Sequence, residues 1–99
     1  MPALAVRVRA RAEIDEAFEW YRTRSQDAAA NFLTAVDRAL ADIAAAPARF
    51  PVVRGRLRRL LLHGFPYAVY YKIYPRTISV VGVIHGHRDP ETWLARAAP

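Results

Sequence analysis

The sequence predicts an α+β fold: an N-terminal strand, then an α-helical hairpin packed on an antiparallel β-sheet. Three observations carry this reading. Apolar residues alternate at period two near the N-terminus, and from about Ala10 to Ala46 they recur at helical spacing. After Gly55 they return in short period-two runs bounded by proline and glycine. The resulting order is β-α-α-β-β-β with a short C-terminal helix, which gathers the helices on one face of the sheet.

Leu4, Val6 and Val8 alternate with Ala5, Arg7 and Arg9, which predicts a half-buried first strand. From about Ala10 the spacing of Ile14, Phe18 and Tyr21 predicts a helix ending near Arg24. Glu13, Asp15, Glu16 and Glu19 then fall in its early turns, where the helix dipole favours acids. Ser25 is placed to cap a second helix with Asp27 in its first turn. Phe32, Val36, Leu40 and Ile43, supported by Leu33 and Ala39, form its apolar stripe, and Pro47 closes it. So short a break between two helices predicts an αα-hairpin.

The stretch PARFPVVRG, from Pro47 to Gly55, predicts a loop. Three strands follow, RLRRLLLH from Arg56, YAVYYKI from Tyr67 and TISVVGVI from Thr77. The turns His63–Pro66 and Tyr74–Arg76 join them into an antiparallel meander. In the middle strand Tyr67, Val69, Tyr71 and Ile73 share one face, and Ala68, Tyr70 and Lys72 the other. His85 and Gly86 then leave the last strand. Asp89 reads as the N-cap of the final helix, Pro90 as its first residue and Glu91 as a dipole-favoured acid.

Ninety-nine residues at 54% hydrophobic make one domain, residues 1–99, with a modest core. No apolar run approaches the ~20 residues of a membrane span, and the N-terminus lacks the apolar block of a signal peptide. Without cysteine, disulfides and thiolate chemistry are excluded. The expectation is a soluble cytoplasmic protein. The net charge of +6 is lopsided: residues 1–46 carry six arginines against seven acids, and residues 47–99 carry eight arginines and a lysine against two acids. Such a field favours acidic or polyanionic partners.

The densest chemistry lies in VIHGHRDPETW, Val83–Trp93. His85 and His87 share a side of an extended backbone, but a zinc site needs a third ligand, and His63 sits in a separate turn. No metal site is expected. With Ser25 and Ser79 as the only serines, no nucleophile–histidine–acid set is visible, and no glycine-rich phosphate loop exists. No cofactor is implied. The run RGRLRR is more informative. Arg54, Arg56 and Arg58 would line one face of an extended segment and Arg59 the other, with Tyr67, Tyr70, Tyr71 and Tyr74 following. Arginine beside tyrosine suits a protein interface or single-stranded nucleic acid. It also suits a basic edge strand that resists aggregation.

The block RRLLLHGFPYAVYYKI, followed by ISVVGVIHGHRDPETW and preceded by EIDEAFEWY, AANFLTAVDRAL and IAAAPARFP, resembles the RelE/ParE superfamily of type II toxins across nearly the whole chain. The resemblance implies a small toxin held in a hetero-oligomer by a cognate ParD-like or similar antitoxin, whose C-terminal segment wraps it. RelE-like members cleave mRNA on the ribosome, whereas ParE-like members bind and poison DNA gyrase. Where a RelE-like enzyme has an arginine after the aromatic of the middle strand, this chain has Ala68. Arg88 matches a RelE-like arginine, and the later tyrosine is matched by Trp93, which cannot exchange a proton as a phenol does.

The resemblance is therefore closer to ParE-like toxins, without catalysis. Arg54, Arg56, Arg58, Arg59, Tyr70, Arg88 and Trp93 are the expected target- and antitoxin-binding residues. The alternative is a ribosome-dependent endoribonuclease using His85, His87, Arg88 and Arg59. A third reading is a degenerate member that binds its antitoxin without toxicity.

Overall fold

The computed structural model describes residues 3–86. The elements are β1 (Ala3–Val6), α1 (Val8–Arg22), α2 (Gln26–Ala45), a 3-10 turn (Pro47–Arg49), β2 (Val52–Arg54), β3 (Leu57–Leu61), β4 (Tyr67–Ile73) and β5 (Thr77–His85). The expected layering is present, a helical hairpin on one face of a sheet. The sheet has five strands in the order β1-β5-β4-β3-β2. Its meander is antiparallel, and β1 joins it parallel to β5, with Ala3 opposite Thr77 and Val6 opposite Val80. The expected final helix, with Asp89 as its cap, lies outside the described residues.

Several boundaries differ from the sequence reading. Val8 is not the third residue of the first strand. It opens α1 and is 88% exposed, because the chain leaves the sheet where the Arg7 N–H donates to Val80 O. Helix α1 therefore starts earlier than expected and has no acid in its first turn. The helix stops at Arg22, where the Thr23 N–H donates to Glu19 O. Ser25 caps α2 as its sequence position indicated, its hydroxyl accepting from the Ala28 N–H at 3.2 Å. On α2, Phe32, Val36, Ala39 and Ile43 are buried, whereas Leu33 is exposed. The Pro47–Gly55 stretch contains a 3-10 turn and the short edge strand β2.

The core lies between the hairpin and one sheet face. Ile14, Phe32, Val36 and Ile43 meet Val69, Tyr71, Ile78, Val80 and Val83 there. Tyr21, Phe32, Phe65 and Tyr67 pack their rings together at 5.2–6.4 Å, which anchors the β3–β4 turn to both helices. Gly64 carries that turn at φ +82, in the left-handed region that glycine adopts without strain. A smaller cluster of Leu57, Tyr70, Val81 and Ile84 occupies the outer sheet face.

The strand β5 contains a bulge. Tyr70 pairs with Gly82 and Tyr71 with Val80, so one extra β5 residue is inserted at this point. Val80 and Val83, three apart, both face the helices as a result.

The segment after α2 is fixed by side chains of the sheet. The Tyr71 hydroxyl donates to Pro47 O at 2.6 Å, and the Arg58 guanidinium donates to Ala48 O at 3.2 Å and Phe50 O at 2.6 Å. Burial pushes the Tyr71 phenol above its usual range, against a smaller opposing effect of Arg58. The fold thus favours the protonated phenol. That stabilisation is present below the ordinary phenol pKa and is lost as pH rises through the raised folded value. Tyr71→Phe should cost about 1–3 kcal/mol in urea denaturation, since it leaves the Pro47 carbonyl without this donor. It should also reduce the alkaline loss of stability above about pH 10.

Candidate functional site

The fold separates charge by layer. Among the described residues all seven acids lie on α1 and α2, and none lies on a strand. The sheet and its loops carry Arg7, Arg49, Arg54, Arg56, Arg58, Arg59, Lys72 and Arg76. Hydrophobic periodicity commits α1 and α2 to one sheet face, so six of these acids are exposed on the hairpin and only Glu13 turns to the sheet, and the strands and loops are left basic.

The arginine run does not form one extended row. Arg54 ends β2 and Leu57 begins β3, with Gly55 at φ +56 and Arg56 turning the chain between them. Arg56 donates to Ile73 O at 2.8 Å and lies over the Tyr74 ring, 5.0 Å from its centroid. Arg58 pairs with Tyr71 in the register and sits on the helix side of the sheet, where it holds the segment after α2. Arg59 pairs with Tyr70, on the outer face, and is half-buried. The four arginines thus hold four different positions, and the expected grouping of Arg54, Arg56 and Arg58 on one face is not found.

His85 ends β5 opposite Tyr67, and the two rings meet edge to face at 5.1 Å. It lines a cleft of about 200 Å³ with Glu13, Glu16, Ala17, Trp20, Tyr67, Val83 and Ile84. Glu13 reaches across from α1, its carboxylate accepting the Val83 N–H at 3.1 Å, beyond the last β1 residue able to pair with β5. His85 is therefore on the helix side of the sheet, and Arg59 is on the other. The structure does not bring these two together. His87, Arg88 and Trp93 lie outside the described residues. Among the described residues no three His, Cys, Asp or Glu side chains gather in a way that would hold a metal.

Two features were not anticipated from sequence. A groove of about 300 Å³ runs between α2 and β3, lined by Ala35, Ala39, Leu60, Leu61 and Phe65 with Asn31, Thr34, Arg38, Asp42 and His63 around them. Leu61 is 64% exposed there, at a part of β3 that β2 does not reach. Near the end of α1, Trp20 is half-exposed beneath the Arg24 guanidinium, 3.6 Å from the ring centroid. The signal for the groove was available in LLL beside a helix that turns small residues toward it. The Trp20–Arg24 pair follows from their i, i+4 spacing.

The fold defines a class, a small α+β domain with an acid-bearing helical hairpin on a basic mixed sheet. The same architecture is found in a solved structure described as the chromosomal ParDE TA system from P. aeruginosa. That chain is 16% identical, with a TM-score of 0.64, and the match covers 86% of this chain and 96% of that one. No curated protein matches. The model of the ParE toxin of type II toxin–antitoxin systems matches residues 4–90, and the chain belongs to that family.

The geometry separates two arginines that adjoin in sequence. Arg58→Met should destabilise the fold by about 1–3 kcal/mol by leaving two carbonyls without their donor. Arg59→Ala, at a side chain with no hydrogen bond or ion pair among the described residues, should stay within about 0.5 kcal/mol. Thermal or urea unfolding of the two variants measures both.

Proposed function

We propose that this chain, acting as one domain in the cytoplasm, arrests growth by binding and poisoning DNA gyrase. A cognate acidic antitoxin neutralises it in a hetero-oligomer. The observation that carries this reading is the match to the ParE toxin family over residues 4–90. No helix among the described residues is long and apolar enough to cross a membrane.

Two features support binding over RNA cleavage. Where the resemblance to RelE-like nucleases calls for an arginine, Ala68 is buried between Leu61 and Ile84 in the sheet register. An in-line attack by a 2′-hydroxyl needs a base and a cation on the same phosphate. His85 and Arg59 are on opposite faces of the sheet. A gyrase-binding toxin needs only shape and charge. Purified toxin should therefore inhibit supercoiling and leave ribosome-bound mRNA intact. The double change of His85 and His87 to Gln should keep most toxicity, and Arg88→Ala should weaken it. Cleavage of translated mRNA that disappears with the histidines would establish the nuclease instead.

The antitoxin tail is assigned to the helical hairpin and the sheet. The groove between α2 and β3 takes its apolar residues, and Arg54 and Arg59 pair with its carboxylates. Arg56 and Arg58 are left out of this set because their guanidiniums are engaged, by Ile73 O and Tyr74 and by Ala48 O and Phe50 O. The joint change of Arg54 and Arg59 to Ala should weaken antitoxin affinity about tenfold or more and flatten its salt dependence. An unchanged affinity across a salt titration removes the basic run from this interface.

A further inference from the structure

We infer that the outer face of the sheet carries a binding site for a phosphate monoester, built around Lys72. Lys72 is 4% exposed, and among the described residues its ammonium makes no hydrogen bond or ion pair. A buried charge without a partner is costly, and an anion beside it removes that cost.

Its surroundings are already arranged for an anion. Ser79 is the cross-strand neighbour of Lys72 and is itself buried. The Arg7 guanidinium donates to Ser79 Oγ at 2.8 Å and to the Tyr74 hydroxyl at 3.5 Å. Tyr74 lies under Arg56, whose guanidinium donates to a neutral carbonyl, Ile73 O. Arg7 and Arg56 are thus held by hydroxyls, a ring and a peptide group, and Lys72 stands across the strand from Ser79, the residue that Arg7 engages. None of them is neutralised by an acid among the described residues, because every acid there lies on the helix layer. Arg7 and Arg56 are exposed and form the rim.

The donor set indicates which anion. Ser79 and Tyr74 accept from Arg7, so each hydroxyl keeps its own proton to donate. Two guanidiniums, an ammonium and two hydroxyls exceed what the two oxygens of a carboxylate can accept. They match a phosphate monoester, with three terminal oxygens and a charge close to −2. A nucleotide or the phosphorylated 5′ end of a nucleic acid presents this group, and so does free phosphate. The site is distinct from the α2–β3 groove and does not depend on the gyrase reading.

The test is titration of the purified full-length toxin, at constant ionic strength, with inorganic phosphate, 5′-AMP, and a DNA oligonucleotide with and without its 5′-phosphate. Chemical shifts of Lys72, Ser79 and Tyr74 are the readout. Saturable binding should require the phosphate monoester. Lys72→Met and Arg7→Gln should each weaken it about tenfold or more, while Arg38→Gln on the helix layer should not. Binding of inorganic phosphate alone, lost in Lys72→Met, would identify the free ion as the source of the same chemistry. If Lys72→Met does not fold, Arg7→Gln and Ser79→Ala carry the comparison. The inference fails if no phosphate compound gives saturable shifts, if the variants bind as the parent does, or if only a glutamate-rich peptide binds. Supercoiling inhibition by the same variants is scored separately, so loss of phosphate binding and loss of the gyrase reading are told apart.

Discussion

The pairing of β5 between β1 and β4 is the constraint on which the rest of the molecule depends. Every residue from Ile78 to Ile84 is buried. The strand is held parallel on one side and antiparallel on the other, and the bulge at Val81–Gly82 decides which side chains reach the helices. With unbroken alternation, Val80 and Val83 would lie on opposite faces. The extra residue restores Val83 to the core and carries His85 with it to the helix side, against Tyr67. One inserted residue therefore separates the histidine from the outer-face arginine.

The edge of β5 beyond Val80 shows how a helix can complete a sheet. The chain turns into α1 after Arg7, so β1 cannot pair further. The Val83 N–H is instead taken by Glu13, one helical turn or so into the returning helix. A carboxylate that the helix dipole does not need at mid-helix is used as a charged acceptor for an orphan backbone donor. The same principle operates after α2, where Tyr71 and Arg58 supply donors to three carbonyls of a segment without a ladder of its own. The first ties a helix to the sheet and the second ties irregular backbone to it, both with side chains that pattern alone would assign to solvent or to a partner.

Charge segregation follows from layering. The acids are on helices because the hairpin is amphipathic and its outer surface must be polar, whereas the strands place their cations at edges, in turns and on the outer face. Such a molecule presents two electrostatically different sides. The sheet side is basic, and the helix side offers an apolar groove with Arg38 and Asp42 at its border. A partner that wraps the toxin can use both kinds of contact at once.

The sequence by itself determined the order of the two helices and of every strand but β2, the cap at Ser25, the apolar stripe of α2, the two faces of β4 and the likeness to a toxin family. Each of these is a local matter of periodicity, turn chemistry or motif. It could not determine the parallel β1–β5 pairing, because strand partners are chosen by contacts more than seventy residues apart. The short strand β2 was hidden for a related reason: two prolines and a glycine surround three residues that become a strand only when β3 lies beside them. The roles of Arg58 and Arg59 were equally illegible. Adjacent residues on a strand point to opposite faces, and only the packed helices and the Pro47–Phe50 segment made one face an interior and left the other as a surface.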